Sequence, residues 1–233
     1  MKLKIVSWNI WCYGYFKKIA DFLKKADADI ICLQEVIESA KEENISTFLA
    51  NLGYKHIYAD SMQITKDGKN VFMGNATYSK YPILSSKVHV LSKEDKRIAL
   101  EANIQIGESI LHIFNTHLTH EHLMPSSKRA TQVDNLIKVL PKEKVLVMGD
   151  FNTTQVSREI KKLSKILNNS DKTFAPTWSV YPQGCEGCKP QKVEHRLDYI
   201  FASHDIKVKS AKVDYNEGSD HLPVSIDVEL EKM

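Results

Sequence analysis

The chain has 233 residues, 42% of them hydrophobic and 26% charged, with a net charge of +3. This composition excludes a disordered or collagen-like polymer and leaves room for a sizeable core. No apolar run approaches the length of a bilayer span, and so mild a positive charge admits a phosphate-bearing partner without demanding one.

Lys2 to Ser7 reads as a strand that Trp8-Asn9 closes, and Met1 leads into it with no cleavable apolar leader, so the expected compartment is the cytoplasm. Phe16, Ile19, Ala20, Phe22, Leu23 and Ala26 recur at helical spacing. Asp29 to Leu33 is a second buried strand, ending in Gln34-Glu35, and strand–helix–strand is the βαβ pattern of neighbouring strands in one sheet. A helix is expected across Ile45 to Leu52, with Gly53 as its C-cap. From Tyr54 to Ile113 the texture is that of an antiparallel meander. Lys66-Asp67-Gly68-Lys69 is a hairpin signal, and strands are expected at Val71–Ser79, Ile83–Val90, Arg97–Ile106 and Ser109–Asn115. Ala130 to Leu140 is helical and Pro141 stops it. The run Val145 to Met148 is a strand ending in Gly149-Asp150-Phe151-Asn152, where glycine permits a tight turn. A basic helix follows over Ser157 to Leu167, its cations a solvated face. A long irregular loop then spans Thr173 to Glu194, and strands at Leu197–Ala202, Ile206–Val213 and Leu222–Leu230 close the chain. The expected architecture is one α/β domain over residues 1–233, with two mixed sheets packed face to face and helices outside.

The polar residues at the strand ends are Asn9, Glu35, Asn115 with His117, Asp150 with Asn152, Asp198, and Asp220-His221. Oxygen donors of this kind suit a hard divalent cation, Mg²⁺ or Mn²⁺. Histidines beside carboxylates supply proton transfer or phosphate contacts. Alternation places Arg196 on the face of Asp198. A cation on the phosphate, a base for water and stabilisation of developing charge are what phosphodiester hydrolysis requires. The cationic residues are nearly all lysine; the arginines are Arg97, Arg129, Arg158 and Arg196, so a guanidinium fork for phosphate has few candidates.

Trp8-Asn9, Leu33-Gln34-Glu35, Asn115-Thr116-His117-Leu118, Gly149-Asp150-Phe151-Asn152, Arg196-Leu197-Asp198-Tyr199-Ile200 and Ser219-Asp220-His221 resemble, in order, the motifs of the endonuclease/exonuclease/phosphatase superfamily. The resemblance implies a four-layer α/β-sandwich and a Mg²⁺-dependent phosphoesterase. Carried over by position, it makes Asn9, Glu35 and Asp220 metal-side residues, with Glu35 the principal ligand. Asp150 resembles the residue that orients or deprotonates the attacking water, and Asn152 its phosphate-contacting neighbour. His221, paired with Asp198, resembles the histidine on the scissile phosphate, with His117 as the second. Trp11 stands where abasic-site endonucleases carry an acid. The chain is therefore more similar to the histidine-bearing branches: pancreatic-type deoxyribonucleases, tyrosyl-DNA phosphodiesterases, deadenylases and neutral sphingomyelinases. Val71 to Ile83 resembles a segment of those branches, which leaves Asn75 either facing the site or satisfied by backbone.

The expected partner is nucleic acid, as a single-stranded or end segment of DNA or RNA, with no stable membrane association and a monomeric chain. The groove for it is expected around His117, Trp178 and Arg196, with Asn75 and Asn115 as further substrate contacts; Trp178 either stacks a base or packs its loop. Trp11, Tyr13 and Tyr15 pose the same alternative. A phospholipid head-group hydrolase and a catalytically inactive binding module are the competing readings. A zinc reading of His117, His120 and His122 is set aside because no helix carries them, and His120 and His122 are expected at the site rim. Cys185 and Cys188 are open to a half zinc knuckle with His195, a redox pair or a local disulfide, and are taken as loop thiols or a strained disulfide.

Overall fold

The computed structural model describes residues 1–39, 44–66, 68–185 and 187–230. Its first half runs β1 (Lys2–Asn9), α1 (Phe16–Ala26), β2 (Ile30–Val36), α2 (Ile45–Asn51), β3 (Lys55–Lys66), β4 (Lys69–Ser79), β5 (Ile83–Ser92) and β6 (Arg97–Ile106). Its second half runs β7 (Ser109–His117), α3 (Ser127–Val139), β8 (Val145–Asp150), α4 (Arg158–Leu163), β9 (Asn168–Asn169), β10 (Asp198–Ala202), β11 (Lys207–Val213) and β12 (Val224–Glu229). Among the described residues the strands form two mixed sheets, ordered β11-β12-β1-β2-β4-β3 and β5-β6-β7-β8-β10-β9.

The sheets stack because their central strands are apolar on both faces. From β1 and β2, Leu3, Ile5, Ile30 and Cys32 point to the second sheet and meet Ile104, Ile113, Leu146, Met148 and Ile200. Their neighbours Val6, Trp8, Ile31 and Leu33 point the other way, onto Ile19 and Leu23 of α1 and Leu49 of α2. The second sheet repeats the arrangement, with Phe114, Val145, Val147 and Phe201 against Val133 and Leu136 of α3 and Ile160 and Leu163 of α4. This gives four layers, helix–sheet–sheet–helix, in which each buried aliphatic side chain contributes about 1.5–3 kcal/mol. Parallel pairs β1–β2 and β7–β8 lie at the centre of each sheet, as strands covered on both faces should.

Several expectations change in detail. The meander is divided: β3 and β4 edge the first sheet, while β5, β6 and β7 belong to the second. The hairpin closes with Lys66 opposite Lys69, and Asp67 lies outside the described residues. The helix expected to Leu167 stops at Leu163, because Asn168-Asn169 extends to pair with Ala202 and Phe201 at the sheet edge. Gly149 lies inside β8 rather than in a turn. At φ 140°, a Cβ there would sit 1.8 Å from the carbonyl oxygen of Thr116, so glycine is needed for the close approach of β7.

Asn115 joins the sheets. Its Nδ2 donates to the carbonyl oxygens of Leu33 (3.0 Å) and Ala76 (2.9 Å), its Oδ1 accepts from Gln34 Nε2 (2.7 Å), and the residue is fully buried. The Nδ2 of Asn75 donates to the Asn115 carbonyl at 3.2 Å. The expected substrate contact from Asn115 is thus replaced by a cross-sheet bridge with every amide position engaged. Asn115→Leu should therefore leave buried partners unsatisfied and cost roughly 2–5 kcal/mol in urea denaturation. A variant of native stability with weakened substrate binding would restore the substrate-contact reading.

Candidate active site

Strand register delivers the polar side chains to one edge. Asn9 pairs with Gln34 at the ends of β1 and β2, His117 pairs with Asp150 across β7 and β8, and Asp198 pairs with Asp150 across β10. This is the carboxyl-end edge of both parallel pairs, where open α/β sheets bind ligands. Glu35 reaches it through a bulge: the β2–β4 register shifts between Leu33 and Val36, and Glu35 takes φ 60°. Trp11 (φ 53°) and Asn152 (φ 49°) line the same pocket with left-handed backbone, strain of the kind that accompanies functional loops.

The pocket encloses about 160 Å³, and Glu35, Arg97, His117, Asp150, Asp220 and His221 are among its lining. Asp150 is its hub. Its Oδ2 accepts from Asn9 Nδ2 (3.1 Å) and lies 3.4 Å from His117 Nε2 and 3.6 Å from His221 Nε2, while its Oδ1 accepts from the Asn152 amide (2.8 Å). The same Asn9 Nδ2 donates to Glu35 Oε1 at 3.0 Å, bringing the two carboxylates together. His221 Nδ1 lies 2.9 Å from Asp198 Oδ2, which also accepts from Thr177 Oγ1 at 2.6 Å. Two tryptophans fix the last strand end: Trp8 Nε1 donates to the His221 carbonyl (2.8 Å) and Trp178 Nε1 to Asp220 Oδ2 (3.1 Å).

Burial pushes Asp150 up to about 7, with Asp198 adding to the rise and His221 opposing it. Burial likewise lifts Asp220 to about 6, Glu35 adding and His221 opposing. For His221, burial disfavours the charge, but Asp198, Asp150 and Asp220 together hold its pKa well above the ordinary value. His117 goes the other way: burial, then Arg97 and His221, keep it neutral. The two histidines thus differ in charge at neutral pH, one imidazolium and one imidazole.

The endonuclease/exonuclease/phosphatase family model matches residues 6–221. The chain belongs to that family. A Bacillus subtilis exodeoxyribonuclease is 24% identical over 98% of this chain and all of that protein. An endonuclease/exonuclease/phosphatase from Beutenbergia cavernae superposes with a TM-score of 0.82 at 18% identity, over 98% of this chain and 72% of that one. D. rerio TDP2, solved with a single-strand DNA product, superposes at 0.71 and 17% identity, over 98% of this chain and 99% of that one.

The family's strand-end motifs converge here in Asn9, Glu35, His117, Asp150, Asn152, Asp198, Asp220 and His221, but the expected contact from Arg196 lies elsewhere. Arg196 is buried away from the pocket: Nη1 donates to Asp171 Oδ2 (2.5 Å) and the Ala175 carbonyl, and its guanidinium sits over the Tyr199 ring. Alternation misplaced it because β10 begins only at Asp198. Trp178 lines the pocket but is 2% exposed, packed on its loop with Nε1 on Asp220, which leaves little of its face open for stacking. Arg97 is the residue that motif reading passed over. It opens β6, is 6% exposed, and its Nε and Nη1 have no protein partner in a pocket lined by carboxylates. The scarcity of arginine, and its placement before the apolar Ile98-Ala99-Leu100, was the available signal.

Asp198→Asn should lower the pKa of His221 in an NMR titration of the metal-free protein, since it removes the nearest opposing charge. A raised histidine contributes stability below its unfolded value and loses it as pH rises through the folded value. The substitution should therefore destabilise the fold more at acidic than at alkaline pH. An unmoved His221 titration would separate the pair.

Proposed function

We propose that the chain is a divalent-metal-dependent phosphodiesterase that hydrolyses nucleic acid at a single-stranded or end segment of DNA or RNA. The observation that carries this reading is the pocket itself, where buried carboxylates, a histidine pair of unlike charge and an unpartnered guanidinium face one small space. Such a set answers a tetrahedral anion and an attacking water better than a neutral ligand.

Glu35, Asp150 and Asp220 bring three carboxylates to one pocket, oxygen donors of the kind that fit Mg²⁺ or Mn²⁺. Glu35 and Asp220 would hold the cation, which supplies Lewis-acid neutralisation of the phosphate, while Asn9, expected as a further ligand, turns its Nδ2 to Glu35 and Asp150 and its Oδ1 to the Trp11 N–H and so orients the carboxylates. Asp150, near neutrality in pKa and oriented by Asn9 and the Asn152 amide, accepts the proton of the attacking water. His221, kept protonated by Asp198, and Arg97 donate to the non-bridging oxygens as charge gathers on them. His117 stays neutral and donates from Nε2 beside Asp150. Asn152 lines the same pocket, its side-chain amide held by the Leu118 carbonyl at 3.0 Å.

The substrate face carries aromatics. Trp11 lines the pocket and stacks with Tyr181 at 5.9 Å, while Tyr13 packs edge-on to Trp11 and Tyr15 edge-on to Tyr181. Tyr13 and Tyr15 are about half exposed, at 49% and 51%. This cluster takes over the base-stacking role that Trp178 is too buried to fill.

A panel of single-stranded and duplex DNA, RNA, 5′-tyrosyl DNA and sphingomyelin with Mg²⁺ tests the assignment; turnover confined to sphingomyelin would replace it. Asp150→Asn should lower kcat ~10²–10⁴-fold with the fold retained, and near-normal turnover would remove Asp150 as the base. Glu35→Gln should raise the Mg²⁺ concentration needed for half-maximal rate, because an amide is a weaker ligand for a hard dication; an unchanged metal dependence would take Glu35 off the metal. Tyr181→Ala should cost ~1–3 kcal/mol in binding single strands and leave bis-p-nitrophenyl phosphate hydrolysis unaltered. Equal losses on both substrates would mean the ring only packs.

A further inference from the structure

Two loops meet beside the pocket. His120 and His122 lie in the loop after β7, and Cys185 and Cys188 in the irregular segment before β10. We propose that these four side chains form a structural zinc site that ties the two loops together, separate in chemistry from the oxygen-lined pocket.

The nitrogen–sulfur separations are those of a tetrahedral S₂N₂ set, and binding would part the two sulfurs from 2.8 Å to the ~3.8 Å that a pair of zinc–thiolate bonds spans. His120 Nε2 lies 3.3 Å from Cys185 Sγ and 3.7 Å from Cys188 Sγ; His122 Nδ1 lies 3.2 Å and 3.7 Å from the same sulfurs. Zinc bonds of about 2.3 Å to sulfur and 2.0–2.1 Å to nitrogen place tetrahedral S and N ligands about 3.6 Å apart, inside that spread. All four ligand atoms fall within 4.8 Å of one another. The cysteines are free, so the disulfide alternative does not describe this arrangement, and His195 is not a member of the cluster.

The surroundings point to a cation as well. Asn152 Nδ2 donates to the Leu118 carbonyl at 3.0 Å, which fixes the amide and turns Oδ1 toward His120 Nδ1 at 2.8 Å. His120 therefore carries its proton on Nδ1 and aims the lone pair of Nε2 at the two sulfurs, the tautomer of a metal-bound histidine with a hydrogen-bonded outer nitrogen. The backbone N–H of Cys188 donates to Cys185 Sγ at 3.1 Å, supporting a thiolate. Gly187 is needed for the approach: a Cβ there would lie 2.5 Å from His122 Nδ1. Leu123, Trp178 and Leu197 wall the cysteines on the inner side, while His122 is exposed and gives a path of entry.

Thiolate and imidazole select zinc over Mg²⁺, and four protein ligands leave no open position, which makes the site structural rather than catalytic. The sequence hid it because each half is incomplete: three histidines without a helix, and one C-x-x-C without a second. Only the packing of one loop on the other completes the set.

Metal analysis of the purified wild-type chain, dialysed against a weak chelator, should find about one zinc per chain, released when an organomercurial titrates the thiols. Cobalt substitution should give an intense tetrahedral spectrum with a sulfur-to-cobalt charge-transfer band, a readout that needs no variant to fold. Cys188→Ser and His122→Ala should each lower zinc retention more than about tenfold, whereas Asp150→Asn should keep both the zinc and the cobalt spectrum, so a failed phosphodiesterase assignment leaves this test intact. Two free thiols without bound zinc, a cobalt spectrum lacking the sulfur band, or a Cys185–Cys188 disulfide in protein handled anaerobically would overturn the proposal.

Discussion

Asp150 holds a carboxylate at 1% exposure where the ends of both sheets meet, and a charge so placed has to be answered by its neighbours. Asn9 answers from the first sheet, the Asn152 amide from its own strand end, and His117 and His221 from either side. Each responder needs support in turn. Asp198 and Thr177 hold His221, Trp8 holds its backbone, and Asn115 with Gln34 pins the sheets so that Asn9 and Asp150 stay in reach. Burial raises the pKa of Asp150, and His221, the Asn152 amide and Asn9 oppose that rise by stabilising the carboxylate.

The left-handed backbone at Glu35 and Asn152 belongs to the same economy. A regular strand would alternate its side chains between the two cores, whereas the bulge after Leu33 turns Glu35 along the sheet edge toward Asn9. Gly149 works by absence: only a residue without Cβ lets β8 lie against the Thr116 carbonyl and bring Asp150 opposite His117. Together they convert two packed hydrophobic sheets into a polar rim with side chains placed by backbone geometry.

The strand ends were legible because periodicity marks where a buried strand begins and stops: Asn9, Glu35, His117 and Asp150 stand where β1, β2, β7 and β8 finish, Asp198 opens β10, and Asp220 lies just before β12. What the sequence could not carry was direction and partnership. Arg196 is near Asp198 in sequence, yet pairs with Asp171, a residue in the irregular segment that no local pattern connects to it. Asn115 looked available at a strand end and is consumed between the sheets. Arg97 looked like an ordinary strand opener, and its orphaned guanidinium is visible only once β6 is laid beside β7. Whether Trp178 and Trp11 pack or present a ring was open for the same reason, since burial and ring contacts are tertiary: Trp178 is buried and Trp11 stacks on Tyr181.

Hydrolysis as proposed for this pocket puts the oxygen of an attacking water on phosphorus, and isotope labelling reads that event directly. Wild-type protein is incubated with a single-stranded oligonucleotide and Mg²⁺ in ¹⁸O-water, and the products of a single turnover are analysed by mass spectrometry. One ¹⁸O in the new terminal phosphate, lost when Mg²⁺ is chelated, is the predicted result. Label in the sugar hydroxyl, or cleavage that proceeds equally well without the cation, would contradict it.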